Sequence, residues 1–392
     1  MIIKNGRIIL PTSVINADIR VENDRITDIR SGLFATNGEQ IVDANGAYVS
    51  AGFVDIHTHG GNGADFMDCT FDALKTALSF HRDNGTTTVL PTSCTAPKEQ
   101  ILKFLQFYKD KINADLGIRI AGVHLEGPYL SKKNKGAQKE EDLQVPSVDD
   151  YSYILDNAST IKTLTLSPEL DGADRMVKRL KDKGITICGG HDDGIYPDFM
   201  PAINNGLTHL THLYCAMSEL RFVDGVRNIG LREYGLIDDN LTAEIIADNK
   251  HIPPMLAKLI IKCKGADKVC VVSDSLRCAG LKKDGALYTL GSGENAQKVK
   301  IGDGVAVLED GSRFAGSITS VRQMVKNLIG AGIPLVDAVK MGTLTPSAII
   351  GMDNEIGSLE VGKKADICIL DNDFNLIKVF VGGKEYATSQ WN

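Results

Sequence analysis

Between residues 51 and 275 the chain alternates short, nearly continuous apolar runs with stretches whose apolar residues recur at helical spacing. Runs such as Gly52-Phe53-Val54-Asp55-Ile56 and Val269-Cys270-Val271-Val272 show almost no polar face, the pattern of parallel strands covered on both sides. Eight such runs end at His59, Pro91, Glu126, Ser167, His191, His212, Asp248 and Asp274. Phe71 to His81, Lys98 to Lys109 and Ala173 to Lys183 read as helices between them. Eight alternating units predict an α/β fold, a closed (β/α)8 TIM barrel. A doubly wound open sheet would carry a glycine fingerprint after its first strand, and none is present.

The two ends of the chain follow a different rule. Ala17-Asp18-Ile19-Arg20-Val21 and Arg25-Ile26-Thr27-Asp28-Ile29 alternate with period two, with turns at Asn5-Gly6 and Asn45-Gly46. The same alternation returns in 365–370 and 376–383. Residues 1–50 and 355–392 are therefore predicted to share a small β-sandwich, and 51–354 to form the barrel.

A chain of 392 residues, 43% apolar and 24% charged, is long and apolar enough for a large compact domain beside a smaller one. Its net charge of -7 offers no basic footprint for nucleic acid. No apolar run approaches the roughly 20 residues of a membrane span, and Lys4, Asn5 and Arg7 break the first ten residues, so no signal peptide is read. Eight cysteines without C-x-x-C spacing argue against a disulfide framework or a thiolate zinc site and point to a reducing cytoplasm.

In a barrel the chemistry gathers at the C-terminal strand ends, and here those ends carry His, Glu and Asp. His57 and His59 are two apart, so both imidazoles can face one ion. Glu126 closes an apolar strand, where a carboxylate needs a counter-charge. His191 and His212 each follow an apolar run. Any one of these could be a satisfied core side chain. Together they form an N/O donor set suited to zinc, iron or manganese. Asp274 could be a helix cap, but it also stands where a base would take a proton from water and return it to a leaving amine. His81 reads as structural, His124 as a neighbour that orients a ligand, and His209 as facing away from the site.

These segments resemble the N-acetylglucosamine-6-phosphate deacetylase family of the amidohydrolase superfamily. The resemblance runs through Gly52 to Gly60, His124-Leu125-Glu126-Gly127-Pro128, Lys135-Gly136-Ala137, Leu166-Ser167-Pro168-Glu169, Gly190-His191, Thr211-His212-Leu213-Tyr214, Val272-Ser273-Asp274 and Gly357 to Asp366, nearly the whole chain. It implies a metal-dependent deacetylase of an acetamido sugar phosphate, releasing acetate. Glu126, His191 and His212 would hold the principal metal, zinc or iron, the H-x-H pair a second one, and Asp274 would be the general acid and base. It further implies substrate contacts from Ala137, Gln138, the Cys215-Ala216 backbone, Arg227 and His251. A homodimer is expected, with His251 reaching across its interface.

The chain departs from that pattern at Gln138, where the family usually has histidine, and at Cys215, where it usually has asparagine; the stretch from Glu219 to Arg227 is longer, and Lys250 adds charge. These departures leave the sugar epimer open, with N-acetylgalactosamine 6-phosphate the alternative, and Arg221 competes with Arg227 for the phosphate. A cyclic amide hydrolase would resemble barrels with a modified lysine at the end of strand four, but that strand ends in Leu166-Ser167-Pro168 and Lys162 lies near its start. A catalytically silent barrel that binds a sugar phosphate is the remaining alternative, and retention of Asp274 argues against it.

Overall fold

The computed structural model describes residues 1–112, 114–293 and 296–387. Eight parallel strands follow one another around a barrel: Phe53–Thr58, Thr86–Ser93, Val123–Glu126, Ile161–Leu166, Thr186–Gly189, Leu207–Leu210, Thr242–Ile245 and Val269–Val271. The first and eighth are joined just beyond their ends, where Asp274 N donates to His57 O at 2.9 Å and His59 N to Ser275 O at 2.9 Å. Every residue of the first two strands is buried, as expected of strands with side chains inside the barrel and helices outside.

The expected helices form at Phe71–Asp83, Lys98–Lys109 and Ala173–Lys181. The first is capped by Thr70, whose hydroxyl accepts from Ala73 N at 3.2 Å, and it buries Leu74, Ala77, Leu78 and His81 on one stripe. Ala173–Lys181 buries Met176, Val177 and Leu180 in the same way.

Both chain ends enter one eight-stranded sheet. Its first strand, Ile2–Ile9, forks: Ile2 to Lys4 pair with Ile41–Asp43, while Arg7 and Ile8 pair with Tyr48–Ala51. Tyr48–Ala51 then pairs with Ile367–Leu370, which brings the C-terminal strands alongside. Alternation explains why Ile367–Leu370 is wholly buried: Ile367 and Ile369 join Ile3, Ile8, Ile19 and Phe380 in a local core, whereas Cys368 and Leu370 belong to the barrel core. Residues 388–392, the end of the predicted sandwich segment, lie outside the described residues.

Two features at the mouth are absent from the sequence reading. A hairpin, Arg221–Val223 with Val226–Asn228, follows the sixth strand, and a four-stranded antiparallel sheet, Leu287–Leu290, Gln297–Ile301, Val305–Leu308 and Phe314–Ser317, follows the eighth. Among the described residues no helix is long and apolar enough to cross a membrane.

Candidate metal centre and active site

The first strand delivers His57 near its end and His59 just past it, and the third ends on Glu126. His191, His212 and Asp274 lie two to three residues beyond the fifth, sixth and eighth strands, and all three have positive φ, at 51°, 27° and 44°. A left-handed residue turns the chain out of the strand and swings its side chain over the barrel mouth; such backbone is costly for non-glycine residues and concentrates at functional sites.

Glu126 lies at the centre. Its Oε1 is 3.0 Å from His191 Nε2, 3.1 Å from His212 Nε2 and 3.6 Å from His57 Nε2, and its Oε2 is 3.4 Å from His59 Nε2. Two triads, His57, His59 and Glu126, and Glu126, His191 and His212, each bring three donor atoms within 4.8 Å of one another. Asp274 Oδ1 faces the first triad, 3.3 Å from His59 Nε2 and 3.6 Å from His57 Nε2.

Second partners fix the tautomers. His57 Nδ1 meets Glu244 Oε1 at 2.5 Å, and His191 Nδ1 meets the Asn134 carbonyl at 2.9 Å, so each Nδ1 carries a proton and each Nε2 is the ring nitrogen turned into the cluster. His57 Nε2 is buried without a hydrogen bond among the described residues, the signature of a nitrogen meant for a cation. Burial opposes charge on His57, but Glu244 and Glu126 overcome it and push its pKa up to about 9. Burial likewise works against the Glu126 carboxylate, and the imidazoles, His57 foremost, still hold it well below the usual range. These residues fit a divalent cation, which would take the place of protons on the imidazoles.

A cavity of about 340 Å³ opens over this cluster. It is lined by His59, Glu126, His191, His212 and Asp274, and also by Ala137, Gln138, Cys215, Ala216 and His251 from the predicted substrate contacts. His251 lines the cavity of its own chain, its Nδ1 held by Asp248 Oδ2 at 2.7 Å. Arg227 is not among the lining residues; it sits on the exposed hairpin with its guanidinium 4.9 Å from the Phe222 ring centre, and Arg221 is tied to Asp193 Oδ1 at 2.7 Å.

His209 is a further correction. Counting alternation back from His212 placed it on the far face, but the chain has left the strand by His212, and His209 Nε2 lies 3.4 Å from Glu244 Oε2 inside the barrel. His124 packs edge-on against His57, ring centres 4.5 Å apart, and bonds Thr165 Oγ1 at 2.8 Å. His81 bonds Thr58 Oγ1 at 3.1 Å and supports the first strand from its helix. Glu244 and Arg313 escaped the sequence reading. Glu244 is a lone acid in the middle of a strand, and Arg313 lines the cavity with no ion pair among the described residues.

Behind His191, Glu169 is half-buried near Asp192, with Oε2 lacking a hydrogen bond among the described residues and Oε1 accepting from Asp193 N at 2.7 Å. Burial first, and Asp192 second, raise its pKa to about 8. The folded state therefore keeps a proton that the unfolded chain releases above its ordinary value of 4.5, so stability falls as pH rises from there to about 8. Glu169→Gln is expected to raise the melting temperature by several degrees at pH 9 and to change it little at pH 5, as read by thermal denaturation at the two pH values.

A barrel whose active-site end gathers imidazoles and carboxylates around cation positions has the make-up of a metal-assisted hydrolase. Residues 48–386 match the Amidohydrolase family. An N-acetylglucosamine-6-phosphate deacetylase of Bacillus subtilis is 33% identical over 85% of this chain and 83% of its own length. An N-acetylgalactosamine-6-phosphate deacetylase of Escherichia coli is 29% identical over 85% of this chain and 86% of its own. The crystal structure of the N-acetylglucosamine-6-phosphate deacetylase of Pasteurella multocida superposes with a TM-score of 0.90 at 30% identity, covering 98% of this chain and 99% of that one. The chain belongs to the amidohydrolase family, and within it to the N-acetylglucosamine-6-phosphate deacetylases.

Proposed function

We propose that this protein hydrolyses the acetamido group of N-acetylglucosamine 6-phosphate, yielding acetate and glucosamine 6-phosphate. The convergence of Glu126, His191, His212, His59 and Asp274 on one cavity, with His57 buried against Glu126 and Asp274, carries this reading. Glu126, His191 and His212 would hold the principal divalent cation, zinc or iron, and His57 and His59 with Glu126 a second one. Such a cation polarises the acyl carbonyl and acidifies water. Asp274 takes the proton from water and delivers it to the leaving amine. His251 and the backbone at Cys215 and Ala216 border the same cavity and hold the sugar phosphate, with Arg313 as an added cation at its edge.

A homodimer fits the surface around the hairpin, where Phe222 and Val226 are 64% and 63% exposed. Arg227 on this hairpin then serves the partner's cavity. Arg227→Ala is expected to raise KM for the 6-phosphate about 10- to 100-fold with little change in kcat, the cost of one charged hydrogen-bonding group. Mixed dimers of Arg227→Ala and Asp274→Asn subunits should regain activity, because one of their two cavities has both groups intact; no recovery would place Arg227 in its own chain's site.

The eight cysteines are free thiols, which supports a reducing, cytoplasmic setting. We take residues 1–50 with 355–392 as the small domain and 51–354 as the barrel, in keeping with the shared sheet. The cyclic amide alternative loses support because Lys162 lies second in its strand, at the end away from the cluster. The relative that acts on N-acetylgalactosamine 6-phosphate keeps that epimer as the second reading. Acetate release from the two hexosamine 6-phosphates decides between them, and none from either by zinc-loaded protein would refute the deacetylase reading.

A further inference from the structure

We infer that Gln138 is a positioning residue that makes the two cation positions unequal: by claiming one oxygen of Glu126 it favours the position at His191 and His212 over the one at His57 and His59. This rests on the deacetylase reading of the site. Gln138 is 4% exposed, and both ends of its amide are engaged. Its Oε1 accepts from Thr95 N at 2.8 Å, and its Nε2 donates to Glu126 Oε2 at 2.5 Å. Turning the amide over would set an N–H against the Thr95 N–H and an oxygen against a carboxylate, so the donor is locked towards Glu126.

The two Glu126 oxygens then differ. Oε1, which faces His191 and His212 at 3.0 and 3.1 Å and lies farther from His57, at 3.6 Å, keeps its charge chiefly for the cation held by His191 and His212. Oε2, the oxygen nearer His59 at 3.4 Å, already accepts from a donor that cannot titrate away. The same hydrogen bond fixes the carboxylate plane and aims Oε1 at its histidines. Gln138 thus strengthens one position by orientation and weakens the other by competition. A side chain that merely filled space would do neither, and one that merely supported the fold would affect both positions in the same direction.

The test is a zinc titration of metal-stripped full-length protein, followed by calorimetry, with Gln138→Met to remove the donor at similar volume and Gln138→His to retain one. In the unmodified protein the second equivalent is expected to bind at least about tenfold more weakly than the first, the scale on which partners of metal ligands act. Gln138→Met should weaken the first equivalent and strengthen the second, and Gln138→His should restore the gap. Equal affinities in the unmodified protein overturn the inference whatever the variants do, as does a Gln138→Met protein that weakens both equivalents or changes neither. No zinc bound by the unmodified protein would instead overturn the deacetylase reading itself.

Discussion

Asp274→Asn is expected to lower kcat by about 10³- to 10⁴-fold at unchanged zinc content, the upper range for loss of a proton-transferring group. The substitution removes charge and little else. Asparagine is among the residues that best tolerate the left-handed backbone at this position, where φ is 44°. The main-chain bonds from Asp274 N to His57 O at 2.9 Å and from Ser317 N to Asp274 O at 2.8 Å do not involve the side chain. What disappears is the carboxylate 3.3 Å from His59 Nε2, and with it the capacity to accept a proton from water and pass it to the amine. Retention of more than a tenth of the activity would remove Asp274 from the reaction, and a fall in zinc content would make it a ligand instead.

The second large effect falls on Glu126. Glu126→Gln is expected to reduce bound zinc to less than about a tenth of an equivalent after dialysis, and to reduce activity at least about 10³-fold, because metal ligands must be anionic or neutral lone-pair donors of the right geometry. Glu126 belongs to both triads and is 3% exposed, and among the described residues its charge is the one anion shared by four imidazoles. An amide in its place offers one neutral oxygen and turns an NH₂ group towards nitrogens that need a cation. Full zinc content in this variant, measured by elemental analysis, would mean that Glu126 is not the shared ligand.

Much of this arrangement is legible in the sequence because barrel interiors leave little choice. Strands buried on both faces must be apolar, so the exceptions at their ends, from His57 to Asp274, stand out. The remainder depends on distance in space. Glu244 sits in Thr242–Ile245 as an isolated acid, and only closure of the barrel brings it to His57, 187 positions earlier. His209 was misplaced because period-two counting holds only while the chain stays extended, and the backbone turns left-handed at His212. The strands from Leu287 to Ser317 are short and divided by glycines and charged residues, so Arg313 had no evident address. Gln138 was visible as a departure, but its tie to Glu126 required Thr95 to fix the amide.

The bonds that close the barrel between its first and last strands also tie reactants together. Because the amide of Asp274 hangs from the carbonyl of His57, the proposed proton carrier and the paired imidazoles ride on a single hinge. Warming that parts this seam would therefore silence the enzyme while most of its helices are still folded.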